Sequence, residues 1–245
     1  MAQSAIPTAP HQHSELERIF GIFWEPRGVF EELVSRPRWW APLIITTILS
    51  VAYILAFSYR VGWARFLERE FMTNPRLHQL SLEQQSQLVA QQQRIVAITS
   101  TVAAAVAPAV SLLLLAAVLT FVFRASAGAD LRFRQAFSVT CYAWLPWALY
   151  QILALIVLFA TDPDEFDLRN PIALNVGWFL DPLATSRWWY SLASSIDLFS
   201  FWVMGLLALG YSVAARKLSL GRAWLTIAIL WAVFILGRAT LAALF

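Results

Sequence analysis

Charged side chains are scarce in this 245-residue chain. They make up 13% of the residues, whereas hydrophobic residues make up 59%. Soluble domains contain about 25% charged and about 45–50% apolar residues, because polar groups must cover their apolar core. A chain this poor in charge cannot coat itself in that way. The composition therefore excludes an ordinary soluble globule and predicts an integral membrane protein.

Cysteine and histidine are also rare. Cys141 is the single cysteine, so no disulfide can form within the chain, and the histidines are His11, His13 and His78. Phosphate-binding loops, nucleophile elbows and zinc-protease motifs do not occur. Acid–base catalysis and metal binding therefore have few candidate groups. We expect no enzyme activity, no metal and no cofactor, and nucleic acid is not an expected partner.

Long apolar runs are what the sequence has instead. A transmembrane helix needs about 20 residues to cross a hydrocarbon core of about 30 Å. Five runs are long enough, so we expect an all-α integral membrane bundle of five transmembrane helices. They cover approximately residues 39–59, 95–123, 135–160, 191–215 and 223–245. Residues 1–14 are polar and contain proline, and we expect them to form a disordered tail.

Residues 15–38 lead into the first run with apolar and charged residues at helical spacing, and Pro26 divides them into two short amphipathic helices. Their apolar positions are Leu16, Ile19, Phe20, Phe23 and Trp24, followed by Val29, Phe30, Leu33 and Val34. Such helices either lie flat at the membrane surface or pack against the protein's own cytoplasmic loops. The sequence leaves both possibilities open.

Basic clusters predict the orientation of the bundle. Two short loops carry them, with Arg124, Arg132 and Arg134 in one and Arg216, Lys217 and Arg222 in the other, and an acidic loop at 161–170 lies between them. The positive-inside rule then puts the N-terminus in the cytoplasm and the C-terminus outside. Residues 60–94 oppose this assignment, because they carry five arginines and would be external.

Two smaller signals add to this picture. Lys217 is the only lysine, and such a preference for arginine is associated with GC-rich bacterial genes, so we expect a bacterial inner membrane. Residues 60–94 also hold a predicted helix, whose N-terminal signal is a capping box formed by Ser81 and Gln84.

Asp197 stands inside the fourth apolar run and Arg238 inside the fifth. The fourth and fifth runs are joined by a short loop and must be antiparallel neighbours. Counted from their cytoplasmic ends at about 1.5 Å per residue, Asp197 lies about 27 Å and Arg238 about 23 Å along the helix, so the two charges reach similar depths. A lone charge in hydrocarbon is costly, and pairing or reaching the interface lowers that cost. We expect Asp197 and Arg238 to form an intramembrane charge pair. Snorkelling to the interface and ion binding in a transport path are the alternatives.

Pro108 and Pro146 fall within the second and third runs, where a proline frees a backbone carbonyl and kinks the helix. Residues 99–111 around Pro108 are mostly small, and small residues let another helix approach closely. Tight packing is one interpretation of this region. A broken helix that lines a site is the other.

Three stretches resemble a known family when their order and spacing are taken together. They read EPRGVFEELVSRPRWWAPL, LRFRQAFSVTCYAWLPW and SSIDLFSFWVMGLLALGYSVAA. They resemble the Yip family of five-span membrane proteins, in its bacterial branch. The positions that carry the resemblance are Pro26, Arg27, Phe30, Tyr142, Pro146, Asp197, Phe199, Trp202 and Gly210.

The resemblance implies five spans and a cytoplasmic N-terminus. Eukaryotic members are linked to vesicle traffic and prenylated Rab GTPases, and they carry a long cytosolic region with an Asp-Leu-Tyr-Gly-Pro element. That element is missing here, so a Rab-type GTPase is not an expected partner of a bacterial member. We expect a non-enzymatic scaffold or adaptor whose partners are the lipid bilayer and other membrane proteins, a second copy included. The alternative is a small transporter, channel or lipid-handling protein that uses Asp197.

Overall fold

A computed structural model describes residues 14–73, 81–168, 170–181, 184–215 and 217–244. These residues form helices joined by loops, and one isolated antiparallel bridge links Asn175 to Asp197. The helices are α1 Glu15–Trp24, α2 Pro26–Ser35, α3 Trp40–Arg60, α4 Trp63–Thr73, α5 Leu82–Ala127, α6 Phe133–Ala143, α7 Leu145–Ala160, a 3-10 helix Val176–Phe179, α8 Arg187–Ser194, α9 Leu198–Ala214 and α10 Leu220–Leu244. The predicted tail, except Ser14, and the three histidines lie outside the described residues.

Four helical segments of the described chain are long and apolar enough to cross a membrane. They are Trp40–Arg60, Glu83–Ala127, Phe133–Ala160 and Leu220–Leu244. The predicted fourth run, 191–215, is instead divided between α8 and α9, with a break from Ser195 to Asp197. Its apolar part, α9, has 17 residues and is therefore about 26 Å long. The expected all-α membrane fold is confirmed, and this one run is shorter than predicted.

Helix α5 extends well beyond the predicted second run. It has 46 residues, so it is about 69 Å long. This length is more than twice the thickness of the hydrocarbon core, which is about 30 Å. The predicted capping box starts it, since the Gln84 backbone N–H donates to Ser81 Oγ (3.2 Å) and the Ser81 N–H donates to Gln84 Oε1 (3.0 Å). Its polar first turns pack beside α4, so residues predicted as a separate helix continue directly into the second apolar run.

The two prolines have different surroundings. Pro108 lies inside the continuous helix α5. Among the small residues near it, Ala103 and Ala107 are exposed, whereas Ala104 is buried. Another helix of the chain therefore covers only part of this stretch. Pro146 lies in the first turn of α7, directly after the chain turns at Trp144. Proline fits there because the first turn of a helix does not use that backbone N–H.

Three arginines of the 60–94 segment hold the acidic loop that follows α7. Arg65 and Arg69 form ion pairs with Asp164 at 3.3 and 3.4 Å. Arg69 also donates to the carbonyl oxygens of Pro163 and Phe166, and Arg60 donates to that of Thr161. Much of the positive charge in this segment is therefore engaged by the neighbouring loop. That loop and α4 must lie at the same end of the bundle.

Most of the buried apolar side chains form one cluster that joins α1, α2, α5, α6, α7, α9 and α10. Its largest fully buried members are Phe30, Phe123, Tyr142 and Tyr211. A smaller cluster around Phe57 and Trp63 packs α3 and α4 against α7 and the acidic loop. The N-terminal helices thus belong to the main core, although they precede the first membrane-spanning helix.

Candidate interaction site

Helices α1 and α2 form an antiparallel pair at the start of the chain. Ser14 and Glu17 make a capping box at the first turn of α1, with hydrogen bonds of 2.6 and 3.2 Å. The chain then turns at Glu25, and Pro26 opens α2, where its fixed φ suits a first helical position. At the crossing, a Cβ on Gly21 would lie 3.0 Å from Val29. Glycine therefore lets the two helices approach closely.

Arg18 is the charged centre of this pair, and only 3% of the residue is exposed. Its guanidinium donates to Glu15 at 2.8 Å and to Glu32 at 2.6 Å. Arg38 also donates to Glu15, at 2.7 Å. The hydrogen bond with Glu32 is the largest cause that raises the pKa of Arg18, and the negative charges of both carboxylates add to it. Two carboxylates thus meet two guanidinium groups, which suits a buried ionic group.

The pair is attached to α6 by two hydrogen bonds. The Tyr142 hydroxyl donates to Glu15 Oε2 at 2.9 Å, and the Gln135 side-chain amide donates to the Val34 carbonyl at 2.7 Å. Tyr142 is fully buried, so its hydroxyl group needs a partner. Glu15 supplies that partner and holds α1 in place.

The pair is attached to α9 by close apolar contacts. Gly210 lies directly under Phe30, because a Cβ on Gly210 would be 3.0 Å from the Phe30 ring and 2.5 Å from Val139 Cγ1. The Phe23 and Trp202 rings meet edge to face, with centroids 5.5 Å apart. Only a residue without a side chain fits at position 210. The α1–α2 pair is therefore seated along the side of α9.

The two helices show opposite kinds of surface on the side away from the bundle. Leu16, Phe20 and Trp24 follow one another every four residues along α1 and are 67%, 64% and 87% exposed. On α2 the exposed side carries Arg27 and Glu31, which form an ion pair at 3.1 Å. We call the first surface the apolar ridge and the second the charged face. The pair packs on α6 and α9, and it leaves the apolar ridge exposed.

Asp197 is the N-cap of α9 rather than a charge inside a helix. Its carboxylate accepts from the Ser200 backbone N–H at 2.9 Å and from the Ser200 hydroxyl at 2.6 Å. Arg238 is exposed on α10. No ion pair between these two residues is present in the described chain. The expected pairing is not formed because the helix breaks at Asp197, where free backbone N–H groups bind the carboxylate.

The structure brings four of the nine family-motif positions to one place. Phe30, Tyr142, Trp202 and Gly210 all lie at or beside the contact between the α1–α2 pair and the bundle. Pro26 opens α2, and Arg27 belongs to its charged face. Phe199 and Pro146 lie elsewhere, since Phe199 packs against the rings of Trp147 and Tyr150 and Pro146 opens α7.

Sequence reasoning missed the ionic group around Arg18. Glu15 and Arg18 are three residues apart, which is a recognisable helical pair. Glu32 and Arg38 come close to this pair only because the chain reverses direction before α2, which Pro26 opens. The signal that could have found this group is the position of Arg18, one helical turn before Ile22 on the same side of α1.

The geometry defines an all-helical integral membrane protein with a docked N-terminal helix pair. A family model described as the Yip1 domain matches residues 20–241, which is most of the chain. The protein therefore belongs to the Yip1 family, and the resemblance to the Yip family is confirmed. No curated protein and no solved structure matches the chain. Within the described residues, no group of three or more acidic, histidine or cysteine side chains could hold a metal ion.

Proposed function

We propose that this protein is a non-enzymatic scaffold or adaptor in membrane organisation, and that the α1–α2 pair is its interaction site. The apolar ridge contacts the lipid bilayer, and the charged face of α2 is presented to partner proteins. The partner is another membrane protein or a second copy of this chain. The site does not depend on any cofactor.

The exposed apolar ridge of α1 is the observation that carries this proposal, since it adds to an apolar side, at Ile22, that already packs into the core. A helix on the surface of a soluble protein turns its apolar residues inward. Here Arg18 is buried, and the ridge of Leu16, Phe20 and Trp24 is exposed. Exposing three large apolar side chains to water is unfavourable, by roughly 25 cal/mol per Å². Lipid against the apolar ridge removes this penalty. On the buried side of α1, Glu15 and Glu32 neutralise the charge of Arg18.

The orientation that we propose has the N-terminus in the cytoplasm of a bacterial cell and the C-terminus outside. Its support is the basic loops after α5 and α9, since cytoplasmic loops are enriched in arginine and lysine. The five arginines of residues 60–94 argued against it. Three of them, Arg60, Arg65 and Arg69, contact the acidic loop after α7, so in this orientation they lie outside together with that loop.

Site-specific photo-crosslinking in native membranes tests the proposal. A photoreactive amino acid replaces Phe20 on the apolar ridge in one variant and Glu31 on the charged face in another. Mass spectrometry then identifies what each position captures. We expect lipid adducts at position 20 and a recurring membrane-protein adduct, or a second copy, at position 31. No recurring protein adduct at position 31 would contradict an adaptor role.

A further inference from the structure

A group of exposed aromatic side chains lies beside the start of α9, where an isolated bridge links Asn175 to Asp197. Trp178 and Phe179 project from the 3-10 helix and are 60% and 85% exposed, and Trp189 on α8 is 60% exposed. We call these three residues the aromatic platform. Large exposed apolar groups that cluster in this way mark an interaction surface.

The platform is held rigidly by the chain around it. The Val176 backbone N–H donates to the Ile196 carbonyl at 3.1 Å, and the Leu198 N–H donates to the Leu174 carbonyl at 3.3 Å. The Asn175 side chain caps the 3-10 helix through the Trp178 N–H at 3.1 Å. These bonds fasten the loop to the start of α9, so the aromatic groups project from a fixed base.

Glycine brings the 3-10 helix against α8. A Cβ on Gly177 would lie 2.3 Å from Ser194 Oγ and 3.0 Å from the Ser194 Cα. Any side chain at position 177 would therefore push the 3-10 helix away. Because Asp197 caps α9 directly after α8, the loop, α8 and the start of α9 form one unit.

The length of α9 indicates what covers the platform. Its 17 residues give about 26 Å, which is shorter than a hydrocarbon core of about 30 Å. The helix is apolar, and the α1–α2 pair packs along its side from Trp202 to Gly210. A helix that ends short leaves its far end near the inner edge of the headgroup layer. Tryptophan and other amphipathic aromatic side chains are favoured at that depth.

We propose that the aromatic platform is embedded in the headgroup layer of the bilayer, on the side where α9 begins. On this proposal α9 is the fifth crossing, and the platform compensates for its short length. The occupant of this surface is therefore the lipid bilayer itself. The proposal does not depend on the scaffold role, because it concerns the 3-10 helix and α8 and not the α1–α2 pair.

Fluorescence quenching in the full-length protein tests this placement. Phe179→Cys carries an environment-sensitive label after reconstitution into phosphatidylcholine vesicles. Glu165→Cys, an exposed position in the acidic loop at the same end, is the matched control. The parent protein gives the background, because its only cysteine, Cys141, is fully buried. Lipids with a nitroxide near the headgroup quench from the bilayer, and iodide quenches from water.

We expect the label at position 179 to lose more fluorescence to the nitroxide lipid than to iodide, and the label at 165 to show the reverse. Equal iodide quenching at 179 and 165 would place the platform in water and overturn the proposal. Protection at 179 from both quenchers would also overturn it, because a second copy or another protein would then cover the surface. Trp189→Cys repeats the measurement on α8 if the first variant does not fold.

Discussion

The Tyr142 hydroxyl donates a hydrogen bond of 2.9 Å to the Glu15 carboxylate across 127 positions of sequence. This bond joins the first turn of α1 to the last turn of α6, in the first third of the third apolar run. The Glu15 carboxylate also accepts hydrogen bonds from the guanidinium groups of Arg18 and Arg38. One carboxylate therefore links the N-terminal helix pair to the bundle. The attachment is specific, and individual substitutions can test it.

Tyr142→Phe should weaken this attachment. The change removes the hydroxyl group and leaves the ring in place, and a hydrogen bond to a charged group contributes about 1.5–3 kcal/mol. We expect the lower end of that range because two guanidinium groups still bind Glu15. Unfolding in mild detergent measures the loss. Tyr59→Phe is the control, since Tyr59 is exposed at the end of α3, and an equal effect of both changes would refute a specific role for Tyr142.

Gly210→Ala should destabilise the contact between α2 and α9. The added methyl group would meet Val139 and Phe30, and overpacking of this kind costs about 1–3 kcal/mol. Gly205→Ala, in the same helix, has no atom within 4 Å of the new Cβ and should be neutral or stabilising by up to about 1 kcal/mol. The double variant Val139→Ala and Gly210→Ala should recover part of the loss. No difference between positions 205 and 210 would contradict the close contact.

Arg18→Met should be among the most damaging single changes in the N-terminal pair. It removes the guanidinium that both Glu15 and Glu32 contact, and breaking a buried ion pair costs about 3–5 kcal/mol. Arg27→Met removes an exposed ion pair from α2, which is worth about 0–1 kcal/mol. Thermal unfolding of both variants in the same detergent compares them directly. A harmless Arg18→Met would show that the ionic group does not hold the pair.

Asp197→Ala should destabilise α9 through the loss of its N-cap, by about 1 kcal/mol, whereas Asp197→Asn should retain most of the stability. Arg238→Ala should have little effect, because Arg238 is exposed and forms no ion pair with Asp197 in the described chain. Effects of distant, independent sites add. We therefore expect the double variant to show the sum. A double variant no worse than Asp197→Ala alone, with Arg238→Ala itself destabilising, would instead establish coupling between the two residues.

The sequence was sufficient for the class of fold and for the family. Long apolar runs report membrane helices because the backbone must satisfy its own hydrogen bonds in lipid. It was not sufficient for the fourth run. Hydropathy averages over Asp197 and does not detect that Asp and Ser three residues apart form a cap. The pattern from Asp197 to Ser200 is an N-terminal helix signal, and it outweighs the apolar residues on both sides of it.

The N-terminal helices show a different limit of sequence reasoning. Helical spacing identified the apolar positions of α1, but two of its sides carry apolar residues, and the spacing does not tell which side meets the bundle. That choice depends on Arg18, whose partners Glu15 and Glu32 are assembled only when α1 and α2 fold back on each other. Such long-range pairing leaves no periodic pattern in one sequence.

The central claim is that α1 faces lipid while the charged face of α2 faces water, and paired labelling in reconstituted vesicles tests it most directly. Phe20→Cys reports the apolar ridge and Glu31→Cys reports the charged face, each with an environment-sensitive fluorophore on the full-length chain. We predict that nitroxide lipids quench the label at position 20 and that iodide quenches the label at position 31. Strong iodide quenching at position 20, equal to that at position 31, would place both helices in water and contradict the account.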